Sequence, residues 1–243
     1  MSIISRSLIV FTGFIIFWQI IVSVFQLPDY ILPTPWAVLI ALKTNAHLIL
    51  QQSIPTLTET IIGLILGILI GSLAALSMVF VRSISFWMLP LLIISQAIPT
   101  FAIAPLLVIW FGYGLASKII TTIIMLFFPI TSAFFDGLRQ TDQHLLDLAK
   151  TMNAKKWRIF MFIRIPAALP HLASGIRVAT VIAPIGAIVG EWVGASRGLG
   201  FLMLNANARM QIDLMFAVLV TIIIFSLILF FLVDKLLKWL ITW

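Results

Sequence analysis

Long, continuous runs of apolar residues, separated by short polar stretches, make up most of this chain. A helix rises about 1.5 Å per residue, so crossing a hydrocarbon core of roughly 30 Å takes about 20 apolar residues. Six segments meet or approach that length: 8–27, 61–81, 86–111, 119–135, 172–192 and 214–233. Because the runs do not alternate every second residue, they favour helices over barrel strands. The pattern predicts an all-α integral membrane protein with six transmembrane helices in a single domain, 1–243.

The composition agrees with this prediction and excludes several function classes. Of 243 residues, 62% are hydrophobic and 9% are charged, which would give a soluble domain a continuous apolar surface. The net charge of +7 is better explained by cations that orient helices than by nucleic-acid binding. The absence of cysteine excludes disulfides and thiol chemistry, and three scattered histidines do not support a metal site.

Charge is concentrated in one segment, 136–171, which holds six of the fifteen Lys and Arg residues and three of the eight acids. Cations flanking the spans divide into two groups. One group comprises Arg6, Arg82, the six between Arg139 and Arg164, Lys235 and Lys238; the other comprises Lys43, Lys118, Arg197 and Arg209. The first group is larger, so the positive-inside rule places it, both termini and the 136–171 loop in the cytoplasm. Arg6 precedes a first run that is too long for a signal-peptide core, which predicts a retained span.

The charged segment has a helical pattern. Between 145 and 152 the apolar positions are Leu145, Leu148, Ala149 and Met152, at the i, i+3, i+4, i+7 spacing of one helix face. Asn153 then breaks the pattern as a left-handed cap, and a second helical turn follows until Pro166 and Pro170 end it. The pattern predicts helix, turn, helix. Taken alone, such a segment could equally be a basic amphipathic loop lying on the inner leaflet.

The spacing within this segment distinguishes the two interpretations. It reads Asp147-Leu148-Ala149, three residues, Asn153, nine residues, then Ile163-Arg164-Ile165-Pro166. This resembles the EAA motif of permease subunits in binding-protein-dependent ABC importers, which reads Glu-Ala-Ala, three residues, Gly, nine residues, Ile-x-Leu-Pro. The spacing is kept throughout, although Asp147, Leu148, Asn153 and Ile165 replace the usual residues. Asn can adopt the left-handed conformation usually given to Gly.

The resemblance implies a type I ABC importer permease fold in which this segment is the coupling helix, seated in a groove of a cytoplasmic ATPase. The contact residues it implies are Asp147, Ala149, Asn153 and Ala154, with Leu148 and Met152 as apolar neighbours. It further implies a homodimer in the bacterial inner membrane, two ATPase subunits that bind ATP and Mg²⁺, and an outer binding protein or lipoprotein. No Walker-type loop occurs in the sequence, so we expect no enzyme activity and no cofactor in this chain itself.

Other stretches resemble one branch of that family, the nitrate, sulfonate and taurine permeases and their thiamine-precursor relatives. They are Leu32–Pro35, Gln96–Pro99, Ala104–Leu106, Trp110–Gly112 and Gly198–Gly200. Within this branch, the segments Gly190–Trp192, Asn205–Met210 and Asp213–Phe216 look more like the pyrimidine-transporting relatives. We therefore expect a small organic cargo such as a thiamine-precursor pyrimidine, with an aliphatic sulfonate, taurine or nitrate as the alternative.

Few polar residues could line a path through the membrane. Glu191, at the outer end of the fifth span, is a candidate path or gate residue, or else an acid at the headgroup level beside Trp192. Arg177 would lie about 21 Å away on an unbroken helix, so a direct pair with Glu191 is not expected. Gln96 and Asn205 are further candidates for the path.

Prolines and glycines punctuate the spans. Pro90, Pro99 and Pro105 predict breaks in the third span, and Pro184 predicts one in the fifth. Such breaks are common in membrane helices, but a translocation path also needs them. Three glycines spaced four apart over 63–71 predict close helix packing in the second span.

Two functions of other classes are also compatible with parts of the sequence. An energy-coupling-type vitamin-binding membrane subunit would also have about six spans, but it would not need an EAA-spaced loop. An intramembrane protease is suggested by Gly194–Gly198, which matches G-x-S-x-G around Ser196. However, a membrane helix precedes that serine, His144 and His171 are predicted on the opposite side, and His47 lies in a distant outer loop.

Overall fold

A computed structural model describes the backbone of residues 3–241 and the side chains of residues 9, 10 and 12–241. The predicted flanking cation Arg6 has its side chain outside these described residues. Within residues 3–241 the regular structure is helical throughout. The helices are α1 (Ile3–Val24), α2 (Pro35–Thr44), α3 (Ala46–Phe80), α4 (Arg82–Ala97), α5 (Thr100–Phe111), α6 (Leu115–Arg139), α7 (Gln143–Thr151), α8 (Lys156–Ile159), a π-helical turn (Phe160–Arg164), α9 (Ile165–Gly194), α10 (Leu199–Ala208) and α11 (Ile212–Leu240).

The predicted all-helical membrane class is confirmed, but the helices differ in length and continuity from the six predicted spans. In the described part of the chain, four helical segments are long and apolar enough to cross a bilayer: Ala46–Phe80, Leu115–Arg139, Lys156–Gly194 and Ile212–Leu240. The described apolar part of α1, Thr12–Val24, is shorter. The predicted third span, 86–111, is formed by two helices, α4 and α5, which meet at an angle of 103°.

The bend between α4 and α5 follows from the local sequence. Pro99 disfavours the helical conformation of the residue before it, because the proline ring clashes with that residue's backbone. Ile98 is accordingly extended, with φ −85° and ψ 120°, and α5 starts directly after Pro99. The expected break at Pro99 is thus confirmed, whereas Pro90 and Pro105 lie inside α4 and α5.

The second span is much longer than its apolar run. It was predicted over 61–81, whereas α3 has 35 residues, from Ala46 to Phe80, a length of about 52 Å. Hydropathy missed the first half because Gln52, Thr56 and Glu59 interrupt the apolar run. That half of α3 carries those polar groups into the protein, where they form the cluster described below.

The centre of the fold is α6, which packs between α3 and α9 at glycine positions. A Cβ on Gly63 of α3 would lie 2.6 Å from the Thr122 side chain, and one on Gly71 would lie 2.9 Å from Ile130. From the other side, a Cβ on Gly186 of α9 would lie 2.8 Å from the Thr122 backbone. The close packing predicted from the 63–71 glycines is therefore confirmed, and it places Thr122 between two glycines on different helices.

The helix after the charged loop continues into the membrane. The prediction that Pro166 and Pro170 end it is wrong, since Lys156–Gly194 forms one helical segment that also runs through Pro184. The π-helical turn at Phe160–Arg164 lies directly before Pro166. Wider π turns of this kind alter the backbone hydrogen-bond pattern within an otherwise continuous helix, and this turn lies directly before the position where Pro166 removes a backbone N–H from the pattern.

Candidate functional site

The loop between α6 and α9 is built around α7, whose two ends are both capped. Asp142 precedes the helix, and its carboxylate accepts a hydrogen bond of 2.8 Å from the His144 backbone N–H. At the other end, the Asn153 N–H donates to the Lys150 carbonyl and the Ala154 N–H to the Ala149 carbonyl, which is the Schellman pattern. Asn153 has φ +55°. The predicted left-handed cap at Asn153 is confirmed.

The apolar residues of α7 divide between two faces. Leu146 and Ala149 are buried against the rest of the protein, whereas Leu145, Leu148 and Met152 point outward, with Met152 75% exposed. We call these three residues the α7 ridge. The sequence pattern grouped Ala149 with that ridge, but Ala149 is only 5% exposed and so packs against the rest of the protein. Ala154 is half-buried.

The polar side of α7 carries an exposed ion pair. Lys150 Nζ lies 2.8 Å from Asp147 Oδ1, and Gln143 Nε2 donates to the same oxygen. The hydrogen bond from Lys150 holds the pKa of Asp147 below its ordinary value. A carboxyl with a lowered pKa in the folded state contributes stability at neutral pH and loses that contribution only as the pH falls through the folded pKa. Asp147 is therefore anionic at any pH near 7.

A second polar site lies near the N-terminus of α10, about the side chain of Glu191. This carboxylate is 1% exposed. Its Oε1 accepts a hydrogen bond of 2.5 Å from the Thr56 hydroxyl, and its Oε2 accepts one of 2.5 Å from the Gly200 N–H. The Leu199 N–H donates to the Thr56 oxygen at 2.8 Å. Since the first N–H groups of a helix have no intrahelical partners, Glu191 and Thr56 together cap α10.

Two further side chains of α3 complete this site. Gln52 Oε1 accepts the Gly198 N–H at 2.7 Å, and Glu59 forms an ion pair of 3.0 Å with Lys118 of α6. Glu59 is 1% exposed, and its second oxygen, Oε2, has no hydrogen-bond partner among the described residues. We call the residues Gln52, Thr56, Glu59, Lys118 and Glu191 the α10 clasp. It joins α3, α6 and α9 to the start of α10.

The clasp corrects the sequence-based view of Glu191. The sequence suggested a path residue or an acid at the headgroup level, yet in the structure both carboxylate oxygens are bonded inside the protein. A carboxylate that accepts a backbone N–H at a helix N-terminus also benefits from the helix dipole. Glu191 is thus a buried cap in this conformation. As expected, Arg177 does not pair with it: its Nε donates to Asp234 of α11 at 2.7 Å.

The other two path candidates are separate from the clasp. Gln96 is exposed near the end of α4, beside the 103° bend. Asn205 is half-buried in α10 and donates to the Phe201 carbonyl at 3.1 Å. Asn205 and Arg209 line a surface cleft of about 330 Å³. The structure therefore does not bring the three predicted path residues together.

Sequence reasoning missed most of the clasp. Glu59 and Thr56 lie before the predicted second span, and Lys118 was used only as a flanking cation. The small number of acidic residues could have pointed to Glu59. The chain has only eight acids, and a carboxylate beside an apolar run needs a partner. The Gly198-Leu199-Gly200 stretch was noted for its family resemblance, and in the structure it supplies the three N–H groups that the clasp binds.

The G-x-S-x-G match around Ser196 does not form a nucleophile elbow. Ser196 follows the C-terminus of α9, and the preceding residue, Ala195, is extended. No strand leads into this turn within the described part of the chain, whereas a nucleophile elbow needs a strand, a sharp turn and a helix.

Known proteins similar to this chain are transport permeases. The chain is 52% identical over 232 residues to a probable ABC transporter permease protein of Haemophilus influenzae, covering 96% of this chain and 95% of that protein. It is 38% identical to the formylaminopyrimidine transport permease protein of Halalkalibacterium halodurans, covering 79% and 76% of the two chains. It is 30% identical to a putative aliphatic sulfonates transport permease protein of Bacillus subtilis, covering 91% and 83%.

The fold is also found in a solved structure. An amino acid ABC transporter, whose crystal structure was determined with histidines, superposes with a TM-score of 0.65, covering 83% of this chain and 96% of that one at 16% identity. Residues 67–242 match the family described as binding-protein-dependent transport system inner membrane component. With its helical fold and capped α7 loop, the chain belongs to this family of ABC transporter permeases, in the branch that includes the sulfonate and formylaminopyrimidine permeases.

Proposed function

We propose that this chain forms the membrane path of an ATP-driven importer and that the α7 ridge is its contact with a cytoplasmic ATPase. The observation that carries the proposal is the exposure of Leu145, Leu148 and Met152 on a short helix that the protein holds rigidly at both ends. Exposed apolar residues at helical spacing are suited to binding in a groove of another protein. The EAA-type spacing of the same segment supports a coupling role.

The loop connects this contact directly to the membrane helices. The helix α6 ends at Arg139, and the segment leading into α9 starts at Lys156, so a force on α7 reaches both through short connections. Because α6 and α9 pack closely at glycine positions, they would move together. The ATPase would bind ATP and Mg²⁺, close, and draw two α7 helices towards each other, which would switch the path between its two openings.

The assembly that this function requires has several parts. It comprises two copies of this chain around a central path, two ATPase subunits and an outer binding protein or lipoprotein. Both termini and the α7 loop would face the cytoplasm of a bacterial inner membrane, as the distribution of cations favours. Within this assembly Gln96, exposed beside the α4–α5 bend, and Asn205 are our candidates for the path, whereas buried Glu191 would stabilise the outer end of the protein.

The cargo that we propose is a small organic solute such as a thiamine-precursor pyrimidine. The 38% identity to a formylaminopyrimidine permease supports it. So does the pairing of cations within the long helices, because Lys118 binds Glu59 and Arg177 binds Asp234, leaving less positive charge for a strongly anionic cargo. An aliphatic sulfonate is the alternative, since a sulfonate permease is 30% identical.

Co-purification with the cognate ATPase tests the coupling proposal. Leu148→Asp and Met152→Asp place a charge on the ridge, and we expect each to abolish retention of the ATPase and substrate-stimulated ATP hydrolysis. Gln143→Glu is the matched control, because it adds the same charge on the opposite side of α7. Retention of the ATPase by both ridge variants would contradict the proposal. The cargo is tested separately, by identifying which ligand the cognate binding protein retains.

A further inference from the structure

A groove lies beside the α7 loop, on the side of α7 away from its ridge. Its volume is about 520 Å³, and its lining includes the end of α3, one side of α7 and the start of the segment that leads into α9. The α7 residues that line it are Gln143, Leu146 and Lys150. On a helix with 3.6 residues per turn, Lys150 lies about 160° from the centre of the α7 ridge. An ATPase seated on the ridge would therefore leave the groove open.

The groove has a cationic rim. Lys150, Lys156 and Arg164 all line it, and its lining contains no acidic residue. Lys150 is bound to Asp147 just outside the groove. Lys156 and Arg164 have no acidic partner among the described residues. Two free cations on one wall would attract a single anionic group, because charge-assisted contacts to phosphate or carboxylate are the strong ones.

The floor of the groove is aromatic. Phe80, the last residue of α3, lies 4.3 Å from Phe160 and 6.3 Å from Trp157 between ring centroids. Trp157, which also lines the groove, is 59% exposed. Tryptophan is typical of the boundary between hydrocarbon and headgroups. Because Phe80 ends one of the long apolar helices, the groove lies where a lipid headgroup meets its acyl chains.

We propose that this groove binds one anionic phospholipid, with its phosphate between Lys156 and Arg164 and its acyl chains against Phe80 and Trp157. Basic pockets beside transmembrane helices are suited to anionic headgroups, and the apolar floor distinguishes this site from one for free phosphate. The lipid would fix the angle at which the α7 loop leaves the membrane. This inference depends on the membrane position of the groove and not on the ATPase contact.

Spin-labelled lipids test this site with the purified full-length chain in nanodiscs. We expect the unmodified protein to immobilise labelled phosphatidylglycerol in preference to labelled phosphatidylcholine. The double variant Lys156→Ala with Arg164→Ala should reduce that preference by about 25-fold, since each cation near an anionic surface contributes a factor of about five. Exchange of the two cations, Lys156→Arg with Arg164→Lys, should retain most of the preference.

The matched control removes two cations from the same loop but outside the groove. Lys155→Ala with Arg158→Ala should lower the preference by less than about twofold, because neither side chain lines the groove and charges outside it are screened by salt. If both double variants lost the lipid preference equally, the cations would attract anionic lipids only diffusely, and the specific site would be contradicted. An unchanged preference for phosphatidylglycerol in the groove variant would also contradict the lipid site. If that variant lost only its retention of the ATPase, the groove would bind a protein segment and not a lipid.

Discussion

Thr56 and Glu191 lie 135 positions apart in the chain and are joined by a buried hydrogen bond of 2.5 Å between hydroxyl and carboxylate. The same hydroxyl oxygen accepts the Leu199 N–H. One side chain of α3 therefore binds both the end of α9 and the start of α10. This arrangement makes the α10 clasp a cooperative unit whose members can be tested in pairs.

Thr56→Val should destabilise the protein by about 2 kcal/mol, because it leaves the buried Leu199 N–H without an acceptor and removes a donor from Glu191. Unfolding of the detergent-solubilised protein would measure the change. Thr58→Val is the control, since Thr58 is exposed and its hydroxyl bonds only within α3. In a double-mutant cycle with Glu191→Gln we expect a coupling of about 1 kcal/mol; strictly additive effects would contradict a shared network.

Lys118→Met should cost about 3–5 kcal/mol of unfolding free energy, because it leaves the Glu59 carboxylate buried without its counter-charge. Adding Glu59→Gln should recover much of that loss, since the double variant no longer contains a buried lone charge. Lys43→Met, an exposed cation in α2, should have little effect in the same assay. If Lys118→Met proves as mild as Lys43→Met, the ion pair does not stabilise the fold.

Gly198→Ala should disrupt the start of α10. Gly198 has φ +115°, and a Cβ there would overlap the Glu191 carboxylate. Backbone strain alone costs about 1–3 kcal/mol, and the overlap would also displace the cap, so we expect lower thermal stability and loss of transport. Gly114→Ala is the matched control, because a Cβ at Gly114 meets no atom within 4 Å. Equal stability of the two variants would argue against the clasp geometry.

Asn153→Gly should be tolerated or slightly stabilising, whereas Asn153→Val should weaken the end of α7 by about 1–2 kcal/mol, because φ is +55° at this position, which Gly and Asn adopt readily but a β-branched residue does not. Hydrogen exchange at the Asn153 and Ala154 amides would report the change, since both donate to carbonyls of α7. Indistinguishable exchange in the Gly and Val variants would contradict the role of the Schellman turn.

The α7 loop shows what helical periodicity in the sequence can and cannot predict. The spacing from Asp147 to Pro166 identified the family, and the asparagine cap was predicted correctly because it is a local property of the backbone. Periodicity nevertheless placed Ala149 with Leu148 on one face, since it cannot tell which side of an apolar arc the protein covers. Only packing beneath α7 assigned Ala149 and Leu146 to the buried side.

The sequence by itself determined that this protein is an all-helical membrane permease, that α3 approaches another helix at its glycines, and where the charged loop with the EAA-type spacing lies. These properties are local, because hydropathy, helix spacing and turn conformation depend on residues close together in the chain. Tertiary structure decided the length of α3, the 103° bend of the α4–α5 pair and the placement of Glu191 in a clasp with Thr56. A buried charge takes whichever partners the fold brings to it, and those partners come from helices far apart in the sequence.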